Sequence, residues 1–95
     1  MSDHLSFGPL SLDLASLRVW REGVDLKLRP QAFHALKVLI EKSGQYVDYD
    51  QLIREAWGGN VVSRHTVNTT IGAVKRALGD HGSWISYRPR LGYRL

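Results

Sequence analysis

The stretch "SRHTVNTTIGAVKRALG", residues 63–79, decides how the rest of the chain is read. Val67, Ile71, Val74 and Leu78 recur at helical spacing and form one apolar stripe, which a helix buries against a core. Ser63 is a favoured N-cap type, Val62 and Val67 stand at staple positions, and Gly79 ends the run. At about 100° per residue the opposite side shows His65, Thr69, Gly72 and Arg76, flanked by Thr66, Asn68 and Ala73. That face is polar, small and free of acids. A helix that enters a DNA major groove needs such a surface: hydrogen-bonding side chains for base edges, cations for phosphates, little bulk. Gly72 costs about 1 kcal/mol relative to alanine in a helix interior. It marks either close approach to another backbone or a tolerated glycine in an ordinary amphipathic helix.

Upstream, Asp48-Tyr49-Asp50-Gln51 is a capping-box pattern, with Asp48 as cap and Val47 and Leu52 as staple. This second helix runs to about Trp57 and breaks at Gly58-Gly59. Two helices joined by a short loop make a helix-turn-helix unit. Downstream, "ISYRPRLGYRL", residues 85–95, reads as two strand-like runs around the tip Arg88-Pro89-Arg90-Leu91-Gly92. A hairpin needs turn chemistry at its tip, not positive charge, so something negative is expected to meet it. Helix-turn-helix plus a basic hairpin is a winged helix, and wing arginines reach phosphates or a narrow minor groove.

Further upstream, Pro30 is well placed in a first helical turn. Phe33, Leu36, Leu39/Ile40 and Ser43 follow helical spacing, Ala32, Ala35 and Val38 widen the stripe, and Gly44 stops the helix. Arg29 is a poor N-cap. Residues 1–28 read as strands, with a hairpin at "LRVW", Arg21-Glu22-Gly23 and "VDLKL"; Val24, Leu26 and Leu28 share one face, Asp25 and Lys27 the other. The expected architecture is α+β, one winged-helix domain over 1–95. It comprises an N-terminal antiparallel sheet (1–28), a three-helix core (30–79) and a wing hairpin (84–95).

The charge agrees with a polyanionic partner. Residues 64–95 hold six Lys/Arg (Arg64, Lys75, Arg76, Arg88, Arg90, Arg94) against one acid, Asp80, while residues 1–63 hold seven against eight. The basic last third points to nucleic acid, and the alternative is a solvated basic face. With no cysteine there is no disulfide framework and no thiolate metal site. His4, His34, His65 and His81 lack metal-ligand spacing, so no metal or cofactor is expected, and structural or surface roles are assigned to all but His65. No nucleophile motif or phosphate-binding glycine loop is present, so no catalytic residue is assigned. Trp20, Trp57 and Trp84 read as core or rim anchors. No apolar run approaches a membrane span. A cytoplasmic domain is expected, and a membrane anchor elsewhere in a longer protein is compatible with it.

"LRPQAFHALKVLIEKSGQYVDYDQLIREAW", "RHTVNTTIGAVKRALGD" and "WISYRPRLGYRL" together resemble the OmpR/PhoB-type winged-helix DNA-binding domain, over essentially the whole chain. The most specific part is the close, Gly92-Tyr93-Arg94-Leu95. The Pro89-Arg90 before it is similar to the one-component, CadC/ToxR-like branch, as is the position of Met1 immediately before the domain. The resemblance implies the N-terminal part of a longer regulator. It implies phosphate contacts at Trp57 and Thr66, base contacts from Thr69 through Thr70 and Gly72 to Ala73, and a backbone contact at Tyr93. Three positions depart from the family. Gly72 and Ala73 replace long polar side chains. Tyr87 stands where a phosphate-binding threonine is common. Pro89 occupies the usual wing-arginine position, so that role passes to Arg88 or Arg90 or is lost.

The reading that follows is sequence-specific binding of double-stranded DNA by a bacterial transcription regulator, through phosphorelay or one-component signalling. Helix 64–78 lies in the major groove and the wing tip on the minor groove or backbone. Trp57, Arg64 and Arg76 are phosphate candidates, and His65 and Asn68 lie within reach of the duplex. Tandem or dimeric copies and RNA polymerase are expected protein partners, and no small-molecule substrate is expected. The rival is a winged-helix protein-interaction or dimerisation module, in which the small Gly72-Ala73 surface packs against another helix.

Overall fold

The structure, a computed structural model, describes residues 3–95; Met1 and Ser2, which open the expected 1–28 strand region, lie outside the described residues. His4–Phe7 (β1), Leu10–Asp13 (β2), Arg18–Arg21 (β3) and Val24–Asp25 (β4) pair antiparallel in chain order. Leu12 stands opposite both Leu5 and Val19, and Leu10 opposite Phe7. Alternation along the strands therefore puts Leu10, Leu12 and Val19 on the inner face, where all three are buried. The second arm of the last hairpin departs from the expected alternation. Lys27 is left-handed at φ 55, and its N–H is held by Asp25 Oδ1 at 2.8 Å. The ladder ends after two residues. Leu26 and Leu28 still pack against the core, but Val24 is 62% exposed.

Pro30–Glu41 (α1) starts on proline with no side-chain cap from Arg29 and buries seven residues, including Phe33, Leu36 and Leu39. It ends two residues earlier than the apolar spacing implied, and Ser43 is exposed in the turn that follows. Tyr49–Ala56 (α2) is capped by Asp48, whose Oδ1 accepts the Gln51 N–H at 2.8 Å. Arg64–Leu78 (α3) is capped by Ser63, whose Oγ accepts the Thr66 N–H at 3.1 Å. Each cap contributes about 1 kcal/mol. The stripe Val67, Ile71, Val74 and Leu78 is buried as its spacing requires. Two side chains lock elements together at helix ends. Gln31 Nε2 donates to the Ala56 carbonyl at 2.6 Å, and Arg21 of β3 donates to the Leu78 carbonyl at the end of α3. A cation there also suits the negative end of the helix dipole.

A 3-10 turn, Gly79–Trp84, links α3 to the wing and was not legible in the residue pattern. Trp84 anchors it against Phe7, ring centroids 5.9 Å apart. Ser86–Arg88 (β5) and Gly92–Arg94 (β6) then form the wing. The wing is sewn to the α1–α2 connection: Val47 N–H donates to Tyr93 O at 2.7 Å and Tyr93 N–H to Val47 O at 3.0 Å. This pairing explains Gly92. Its φ is +103, and a Cβ there would sit 2.1 Å from the Val47 carbonyl oxygen. The result is a winged helix whose hairpin base is fixed and whose tip, residues 88–91, is exposed.

Candidate nucleic-acid interface

The outward face of α3 carries what its sequence promised. His65, Thr66, Asn68, Thr69 and Arg76 are exposed, and Thr70, Gly72 and Ala73 are half-buried. Thr70 is turned inward on its own helix, its hydroxyl donating to the Thr66 carbonyl at 2.9 Å, so its proton is already used. The Thr66 hydroxyl lies 3.1 Å from Ser63 Oγ, inside the cap. Gly72 is not required by this chain's own packing. A Cβ there would meet only Arg76 Nη1, at 3.5 Å.

One flank of α3 faces the wing across three tyrosines. Tyr49 opens α2, Tyr87 lies on β5 and Tyr93 on β6, with centroids 5.0 Å apart for Tyr87 and Tyr93 and 6.1 Å for Tyr49 and Tyr93. Asn68 Oδ1 accepts from the Tyr49 hydroxyl at 2.6 Å and from the Tyr93 hydroxyl at 2.5 Å. Burial, reinforced by the neighbouring Tyr49, pushes the Tyr93 phenol above its ordinary value and keeps it a proton donor. Tyr87 is also shifted upward, chiefly by its hydrogen bond with Tyr49. The Arg64 guanidinium lies 4.9 Å from the centre of the Tyr49 ring, a cation–π contact that holds it on the wing side rather than on the outermost face. Arg64 and Arg90 line one cleft with Asp48 and Asp50, so the wing side is not purely cationic. Arg88 and Arg90 are both exposed at the tip, and Arg90 adopts a left-handed φ of 71.

The other flank is a groove between α3 and the β4–α1 connection. Lys27, Arg29 and Arg76 line it beside Leu26, Leu28 and Thr69, and no acid lies among its described lining residues. Lys27 and Arg29 escaped the sequence reading because they belong to a segment of nearly zero net charge, and no local motif marks them.

Two candidates sit deeper than the resemblance implied. Trp57 and Tyr93 are each only 8% exposed. Trp57 packs in the core, so little of it is available for contact. Tyr93 spends its hydroxyl on Asn68. The structure thus brings together Arg64, Asn68, Tyr93 and the wing tip on one side and Thr69, Thr70, Ala73 and Arg76 on the other, with His65 and Gly72 between them on the helix wheel.

The family described as "Transcriptional regulatory protein, C terminal" matches residues 23–95. The chain belongs to this OmpR/PhoB-type family. Among the family's members, the transcriptional regulatory protein CutR of Streptomyces coelicolor is 31% identical over 90% of this chain and 40% of its own length. The transcriptional activator CadC of Escherichia coli is 28% identical over 82% of this chain and 16% of its own. The chain therefore spans less than half of either relative. The DNA-binding domain of CpxR from E. coli superposes with a TM-score of 0.86 at 26% identity, covering 99% of this chain and 96% of that one. The family and these relatives are transcription regulators, and the winged-helix fold and the OmpR/PhoB-type likeness are both met; CadC is one of several relatives matched at similar identity.

Proposed function

We propose that this domain binds double-stranded DNA with sequence preference, as the DNA-binding part of a bacterial transcription regulator. One observation carries the reading: α3 presents an acid-free polar face between two cationic flanks. A B-form major groove about 12 Å wide takes a helix between two rows of phosphates. With α3 in the groove, the wing tip with Arg88 and Arg90 meets the backbone or minor groove on one side. Lys27, Arg29 and Arg76 meet phosphates on the other. His65, Thr69, Gly72 and Ala73 then lie nearest the base edges. Trp57, through what little of it is exposed, and the Thr66 region complete the backbone contacts. The relatives it matches are more than twice its length, and on this reading other parts of a longer protein bring copies together on repeated half-sites. It acts by recruiting or occluding transcription, with no catalysis of its own.

The test is a fluorescence anisotropy titration against a labelled random duplex at two salt concentrations, ~50 and ~200 mM. Each phosphate contacted contributes about −0.9 to the slope of log affinity against log salt. Binding at low salt with a slope between about −3 and −6 supports the two-flank surface. No binding at either salt, even by a tethered dimer, refutes it and leaves a protein-interaction module.

A further inference from the structure

Asn68 is an exposed residue on the wing-facing flank of α3, yet its carbonyl oxygen is fully occupied. It accepts the Tyr49 hydroxyl at 2.6 Å and the Tyr93 hydroxyl at 2.5 Å. The oxygen of the amide faces the phenols. An amide oxygen has two lone pairs and a phenol one proton. Both lone pairs and both protons are used. What Asn68 has left to offer outward is Nδ2 with its two N–H groups.

We infer that Asn68 is a donor-only contact, which meets a hydrogen-bond acceptor on the duplex and cannot make the bidentate contact that selects adenine. Asparagine reads adenine bidentately, accepting from N6 through its oxygen while donating to N7. Here the oxygen is taken. Guanine, whose O6 and N7 take both N–H groups, fits best; the single O4 of thymine and a phosphate oxygen also accept. Tyr49 and Tyr93 are positioning residues for this contact. They come from α2 and from β6, so one atom of α3 is pinned by both neighbours of the groove helix. The inference rests on the DNA-binding reading above, because it specifies the partner of a side chain on that same surface.

The experiment selects bound duplexes from a random pool with the wild-type chain, Asn68→Ala, Asn68→Asp and the double variant Tyr49→Phe/Tyr93→Phe. If the acceptor is a base, the wild type prefers guanine, or thymine through O4, at one position and Asn68→Ala loses that preference. Asn68→Asp still accepts both phenols but has no donor, and its preference moves to cytosine, whose N4 donates. The double variant frees the oxygen, and adenine enters at that position. If the acceptor is a phosphate, Asn68→Ala and the double variant lose affinity by about 3- to 10-fold for every duplex with preferences unchanged. Wild-type selection of adenine at the position that Asn68→Ala relaxes overturns the inference, as does an Asn68→Ala variant indistinguishable from wild type. Should the double variant fail to fold, the Asn68 variants alone decide it. Absence of wild-type binding to any duplex is a different result: it removes the DNA-binding reading, and this inference falls with it.

Discussion

Gly72→Glu separates what α3 needs for folding from what it needs for binding. In the free domain the substitution is favourable. Gly72 has a helical conformation, and its added Cβ meets only Arg76 Nη1, at 3.5 Å. Replacing glycine by a good helix former in a helix interior gains about 0.5–1 kcal/mol. A glutamate four residues before Arg76 adds a few tenths more. For a domain of this size about 1 kcal/mol corresponds to roughly 4–8 °C in Tm, so thermal unfolding by circular dichroism should show a rise of about that size. On DNA the same carboxylate lies on the outward face of α3 among phosphates. Like-charge juxtaposition costs several kcal/mol, which predicts at least a ~100-fold loss of affinity in a titration at ~50 mM salt. Gly72→Ala is the companion: equal stabilisation, with any loss of affinity reporting only the lost room for close approach. Normal binding by Gly72→Glu refutes α3 as the groove helix. A fall in Tm refutes the account of Gly72 as free within the chain.

The double variant Arg88→Ala/Arg90→Ala should weaken binding to all duplexes and flatten the salt slope by about 1.8, with unfolding unchanged; an unaltered slope removes the wing tip from the interface. Lys27→Ala/Arg29→Ala should flatten the slope by a similar amount, and a variant that keeps the full slope places these cations off the DNA. Gly92→Ala should cost about 3 kcal/mol or more in denaturant unfolding, since it combines a left-handed φ with a Cβ 2.1 Å from the Val47 carbonyl oxygen. A loss below about 1 kcal/mol would mean that the wing shifts away from Val47 freely. Ser63→Ala should lower stability by about 1 kcal/mol through the loss of the Thr66 N–H partner, and a neutral result would show that water replaces the cap without cost.

The local rules of the chain were enough to place α2 and α3. Cap chemistry at Asp48 and Ser63 and the stripe from Val67 to Leu78 are short-range signals. They depend only on residues within a few turns, so the α2 start and both ends of α3 were legible to the residue. So was the charged hairpin tip, because turn residues and arginines are adjacent in sequence. Where a boundary depended on distant packing, the pattern misled. Ser43 shares the helical spacing of α1 but lies in the turn beyond it. Val24, Leu26 and Leu28 alternate like a strand, yet a left-handed Lys27 ends the ladder first.

Which residues share a surface was decided only by the tertiary structure. Lys27 and Arg29 stand about forty residues before Thr69 and Arg76 and line one groove with them. Net charge counted along the chain cannot see that, because charge adds in space and not in sequence. The same holds for Gly92, whose requirement comes from the Val47 carbonyl, and for Trp57, whose core position leaves little of it for contact. It holds most clearly for Asn68. As a residue type it can accept or donate, and sequence alone leaves both open. Two phenols from two other elements occupy its oxygen, and only the fold brings them there.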